Sequence, residues 1–85
     1  MPDYRALHDA TTALRAHLND WLGELVPPYA DEVLHDLEET AADPHADAAD
    51  VRAMVAEAES TMEMLPAVPE QWAAVKAAAE AAGVA

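Results

Sequence analysis

Apolar positions recur along this chain at alternating steps of three and four. The first stripe is Tyr4, Leu7, Thr11, Leu14, Leu18, Trp21 and Leu25, a spacing that gathers side chains on one face of an α-helix. Asp3 stands before it as an N-cap, and Gly23 or the Pro27–Pro28 pair ends it. The second stripe is Ala30, Val33, Leu34, Leu37 and Ala41. It has Pro28 in its first turn, then Asp31 and Glu32 where the helix dipole favours acids. "ADPHAD" reads as a loop, and Asp47 with Asp50 three residues on resembles a capping box. The third stripe is Val51, Val55, Ala58, Met62 and Leu65, with Met54 alongside. "LPAVP" breaks it, and Pro69 opens a fourth with Trp72, Val75, Ala79 and Ala82 on one face and Gly83 as the stop.

This pattern predicts an all-α fold in which residues 1–85 form a single helical domain, a small bundle of four amphipathic helices. Short connections imply that successive helices run antiparallel. The first, at about 22 residues, spans ~33 Å, while the second and fourth are about half that. Two arrangements then cover the first helix. Its shorter neighbours stack end to end along it, or a second copy of the chain completes the bundle as a homodimer.

Composition qualifies the picture. Of the 53 % of residues that are hydrophobic, nearly half are alanine; Leu and Val together number 15, and there is no Ile or Phe. With a formal charge of −13, such a chain lies near the border of disorder, and alanine's helix propensity is what draws it back. The absence of cysteine excludes disulfides and thiolate-bound metals. "MPDYRALHDA" has acids where a signal peptide has bases, and no run approaches a membrane span, so the expected compartment is the cytoplasm. Seventeen acids against four scattered bases speak against direct binding of nucleic acid or anionic lipid.

The acids are concentrated. Ala30 to Asp50 holds eight carboxylates and neither Lys nor Arg. Within it Glu32 and His35 stand at the E-x-x-H spacing of helical di-metal sites, and Glu32, His35, Asp36 and Glu39 fall within about 100° on the helical wheel. Their arc lies opposite Val33, Leu34 and Leu37, away from the core, whereas ferritin-like carboxylate sites point inward and draw on more than one helix. Glu32, His35 and Glu39 are therefore metal candidates only at a subunit interface, and no metal or other cofactor is expected.

Catalytic chemistry finds little support. His17 lies at the edge of the first stripe, with Asp20 and Glu24 following it. His8 and His45 have no better case, and the sole serine, Ser60, sits on the exposed side of the third helix without a base at helical spacing. Length, acidity and four helices make the chain similar to an acyl carrier protein. The family's D-S-L attachment motif at the start of a helix is missing, the only serine standing in "ESTMEML" in mid-helix and late in the chain, so the resemblance fails at its motif and the carrier reading falls with it. The two glycines lie 60 residues apart, so there is no phosphate-binding loop.

Acids aligned at i, i+4 and i+7 repel one another and weaken a helix slightly. A line of charge on a rigid helix can also occupy a groove that otherwise tracks a nucleic-acid backbone. The expectation is thus a non-enzymatic acidic interaction protein that masks or inhibits a basic macromolecular surface. It resembles, in charge and size alone, nucleic-acid mimics and phage anti-defence inhibitors. The binding residues are Asp31, Glu32, Asp36, Glu38, Glu39, Asp43 and Asp47, and the partner is a protein with a basic surface. The alternative is a structural or assembly module, a helical oligomer or phage adaptor, working through apolar faces such as the outer alanines Ala74, Ala77 and Ala81. The interfacial metal site is third.

Overall fold

Each predicted stripe becomes a helix. The computed structural model describes residues 3–64 and 69–85. These form α1 (Arg5–Leu22), a 3-10 turn (Gly23–Leu25), α2 (Pro28–Ala42), α3 (Ala48–Glu63) and α4 (Pro69–Ala81). No strand occurs among the described residues. Leu65 and most of the "LPAVP" break lie outside them.

α1 is shorter than its apolar pattern suggests. It ends at Leu22 after 18 residues because Gly23 takes a positive φ of 55° and the chain tightens into the 3-10 turn, a conformation that glycine adopts without the Cβ clash of other residues. Burial along the stripe ends at Leu18, within the helix, with Leu22 partly buried. Trp21 and Leu25, read from spacing as core, are exposed at 53 % and 78 %. Capping departs in detail too. Tyr4 is the residue flanking the helix, and Asp3 caps from one position earlier by accepting a 2.9 Å hydrogen bond from the Arg5 N–H. Asp47 caps α3 as expected, accepting from Ala49 N–H at 3.0 Å, with no return bond from Asp50 among the described residues.

α2 begins on Pro28, whose missing N–H is no loss in a first turn. α4 ends in a Schellman motif: Gly83 N–H donates to Glu80 O at 3.1 Å and Val84 N–H to Ala79 O at 2.9 Å, with Gly83 at φ 78°. This turn returns Val84 into the core, where it is fully buried.

α1 is covered side by side, not end to end. α2 packs along one flank of α1 and α4 along the other, with α3 behind α2. The helices are also closer in length than the sequence pattern suggests, at 15 residues for α2, 16 for α3 and 13 for α4. Neighbours run antiparallel: His8 and Arg15 of α1 reach Glu38 and Asp31 of α2, and Tyr29 of α2 reaches Glu57 of α3. α3 and α4 approach less closely and are spanned by long cationic side chains. Lys76 pairs with Glu59 at 3.5 Å, and Arg52 donates to Gly83 O at 3.0 Å.

The core is one layer of leucine, valine and alanine: Leu7, Leu14, Leu18, Leu34, Leu37, Val51 and Val75 are all buried, and Ala58 and Ala79 are fully buried among them. Two buried threonines are satisfied locally, Thr11 donating to Leu7 O at 2.8 Å and Thr61 to Glu57 O at 2.9 Å. The buried Tyr4 hydroxyl meets no partner among the described residues. A buried polar group without a hydrogen bond costs its desolvation and returns nothing. Tyr4→Phe keeps the ring and removes that cost, so its denaturant midpoint should match or exceed the parent's, by up to ~1 kcal/mol. A clear loss of stability would mean that the hydroxyl is bonded.

Candidate functional site

The acids of α2 divide into three directions, which follow from 100° per residue. Asp31, His35 and Glu38 face α1; Tyr29, Glu32 and Asp36 lie toward α3; and Glu39 points outward. Helix packing then gives each set a different fate.

On the α1 side a single cation gathers the acids. Arg15, next to Leu14 on the buried stripe, reaches Asp31 Oδ1 from Nη2 and Glu38 Oε1 from Nη1, both at 3.3 Å. Its Nη1 also lies 3.1 Å from His35 Nδ1. A guanidinium only donates, so Nδ1 is the acceptor and the imidazole proton sits on Nε2. That proton is then directed at Glu39 Oε1, 3.0 Å away. Asp31 and Glu38, placed by sequence on an open acidic face, are instead held in the α1–α2 seam, where Glu38 is only 19 % exposed. Both ring nitrogens of His35 are likewise engaged. Among the described residues no group of three or more His, Cys, Asp or Glu is arranged to hold a metal ion.

On the α3 side the arrangement is open. Tyr29, Glu32, Val33 and Asp36 of α2 and Met54 and Glu57 of α3 line a shallow groove of about 140 Å³. Its floor is apolar and its walls are carboxylates from both helices. Tyr29 closes one end by donating a 2.7 Å hydrogen bond to Glu57 Oε1. That bond, and then the carboxylate's charge, hold the Tyr29 phenol above its ordinary pKa. Of the four cations, Arg15 lies on the opposite flank of α2, Arg52 of α3 reaches Gly83 beyond α4, and Lys76 of α4 pairs with Glu59 on the α4 side of α3. Arg5 stands at the far end of α1, so no cation borders this groove.

The remaining candidates serve the loop. Asp43 accepts from His45 N–H at 2.9 Å, shaping the turn, and Asp47 caps α3. His17, Asp20 and Glu24 are exposed, and no ion pair joins them among the described residues. His8, which had no assigned role, hydrogen-bonds through Nδ1 to Glu38 O at 2.9 Å. It borders a wider opening of about 420 Å³ between the start of α1 and the end of α2. Ser60 is exposed in the last turn of α3.

Spacing alone missed Arg15, Tyr29 and Glu57. The signal for Arg15 was present: Asp31, His35 and Glu38 share one edge of α2, and a lone arginine on the edge of α1's stripe is the complement such an edge needs. For Glu57 there was none, because nothing distinguishes it from the other exposed acids of α3 as the partner of Tyr29.

No helix among the described residues is long and apolar enough to cross a membrane. No family model, curated protein or solved structure matches the chain.

Proposed function

We propose that this chain is a non-enzymatic interaction protein that binds a basic protein surface through its α2–α3 face and masks it from anionic ligands. One observation carries the reading: Glu32, Asp36 and Glu57 flank a groove with an apolar floor and no neighbouring cation. Two further features support it. The bases are mostly used inside the fold, by Arg15, Arg52 and Lys76, so the outward field remains strongly negative. The carboxylates also stand on packed helices, which keeps their spacing fixed when a partner arrives. Such a surface accelerates encounter with a cationic partner and gives an association that weakens steeply with salt.

The test reverses charge where nothing else depends on it. Glu32 and Asp36 are exposed, and neither makes a hydrogen bond or ion pair among the described residues. Glu32→Lys/Asp36→Lys should therefore melt like the parent. Its affinity for an oligolysine peptide should fall by about tenfold, chiefly through a slower on-rate and with a shallower salt dependence. A control with the same change in net charge, Asp9→Lys/Glu80→Lys on α1 and α4, should lose much less. Equal losses in the two variants would show that overall charge binds and that the α2–α3 face does not.

A further inference from the structure

The four exposed large hydrophobic side chains among the described residues are Trp21 (53 %), Leu25 (78 %), Tyr29 (55 %) and Met64 (75 %). They are scattered in sequence but not in the fold. Trp21 ends α1, Leu25 closes the 3-10 turn, Tyr29 lies in the first turn of α2, and Met64 follows the last residue of α3. In an antiparallel bundle these are all the same end. The hydrogen bond from Tyr29 to Glu57 confirms that the start of α2 stands beside the closing turns of α3. Scattered single apolar residues on a surface mean little, whereas four large ones gathered at one pole mark a contact site.

The rim of this pole is acidic. Asp20 and Glu24 flank Trp21, Glu63 precedes Met64, and Glu57 holds Tyr29. The four cations all belong elsewhere. Arg5 and Arg52 lie toward the opposite end, Arg15 joins the α1–α2 seam, and Lys76 pairs with Glu59 along α4. The groove lined by Glu32 and Asp36 runs from this pole, since Tyr29 belongs to both.

We propose that the pole is an anchor site for a basic amphipathic segment, one bulky apolar side chain or more flanked by Lys or Arg, whose cationic part continues along the α2–α3 groove. The proposal rests on the acidic-face reading above and adds to it the apolar half of the partner. Trp and Tyr are the side chains that most often dominate binding energy, and Met adapts its shape to an incoming group. Apolar burial supplies affinity while the acidic rim selects a cationic flank. A second copy of the chain is the poorer occupant. Pole-to-pole pairing brings two acidic rims together on molecules of −13 each. The bundle is also only 21 × 19 Å across, a footprint of roughly 400 Å² and about half of what each side of a stable interface covers. A single helix or peptide fits that footprint.

The experiment compares two probes, an amphipathic Leu/Lys helical peptide and an oligolysine of equal charge, on the parent and on Leu25→Ser/Met64→Ser. Fluorescence of Trp21 in a Trp72→Phe background gives a second readout at the pole. The parent should bind the Leu/Lys peptide about tenfold more tightly than oligolysine, the effect of burying one large apolar side chain, with Trp21 emission moving to shorter wavelength. Leu25→Ser/Met64→Ser should lose that gain, keep the oligolysine affinity and melt like the parent. Retention of the full gain would overturn the proposal. So would a drop in melting temperature, which would mean that these side chains are covered by the chain itself. A parent that sediments as a dimer and a variant that sediments as a monomer would assign the pole to self-association and overturn it as well. The underlying reading fails separately: the pole variant erases the gain while Glu32→Lys/Asp36→Lys leaves oligolysine binding unchanged.

Discussion

Leu14→Ala should remove ~2–5 kcal/mol of stability, while Trp21→Ala, seven residues along the same apolar pattern, should change it by less than ~0.5 kcal/mol. Leu14 is fully buried on the core face of α1, the helix that packs against both α2 and α4. The loss combines the leucine's transfer free energy with that of the cavity left behind. A chain of 85 residues has total stability of ~5–10 kcal/mol, so this one substitution removes a large share of it. Urea titrations followed by circular dichroism would show it as a midpoint well below the parent's at unchanged slope. Trp21 is the larger side chain and so the better test of how far the core reaches along α1. If the last turn of α1 were covered, Trp21 would pack with Leu18 and its removal would match the leucine's. Equal losses at the two positions would contradict the exposure of Trp21.

That contrast marks where the chain's pattern is readable. Core positions repeat within one helix, so periodicity found Leu7, Leu14, Leu18, Val33, Leu37, Val51, Val55 and Val75, all buried. It failed where a helix stops. Trp21 and Leu25 continue the three–four rhythm, but Leu25 lies past the positive φ of Gly23, and Trp21, in the last turn of α1, is left uncovered. Val84 escaped for the opposite reason. Gly83 was recognisable as a stop, but the Schellman turn that sends the next residue back into the core is a property of the backbone. The acidic surface was legible as composition and not as geometry. Which carboxylates remain open depends on whether a cation on another helix meets them. Arg15 takes Asp31 and Glu38 across 16 and 23 residues, and Tyr29 joins Glu57 across 28. Local spacing shows the acidic edge of α2 but not which residue of another helix meets it.

Arg15→Met should therefore cost ~2 kcal/mol, although it replaces a partly exposed charge with an apolar side chain of similar length. Arg15 is 21 % exposed, Glu38 19 % and Asp31 43 %, between a surface ion pair of little value and a buried one that is expensive to break. Methionine keeps the packing of the stem against Leu14's stripe. What it removes is the cation between two carboxylates two helical turns apart, together with the donor to His35 Nδ1. Arg15→Lys should recover only part of the loss. An ammonium is a point charge and cannot reach Asp31, His35 and Glu38 together as the planar guanidinium does. One feature favours lysine: Arg15 Nε is buried without a partner among the described residues, and the substitution removes that donor. Pairing Arg15→Met with Glu38→Gln in a double-mutant cycle isolates the interaction. If the guanidinium's role is to neutralise Glu38, the double variant should be more stable than Arg15→Met alone, because the half-buried charge left behind is gone. Additive losses would place the value of Arg15 in its packing and not in its charge.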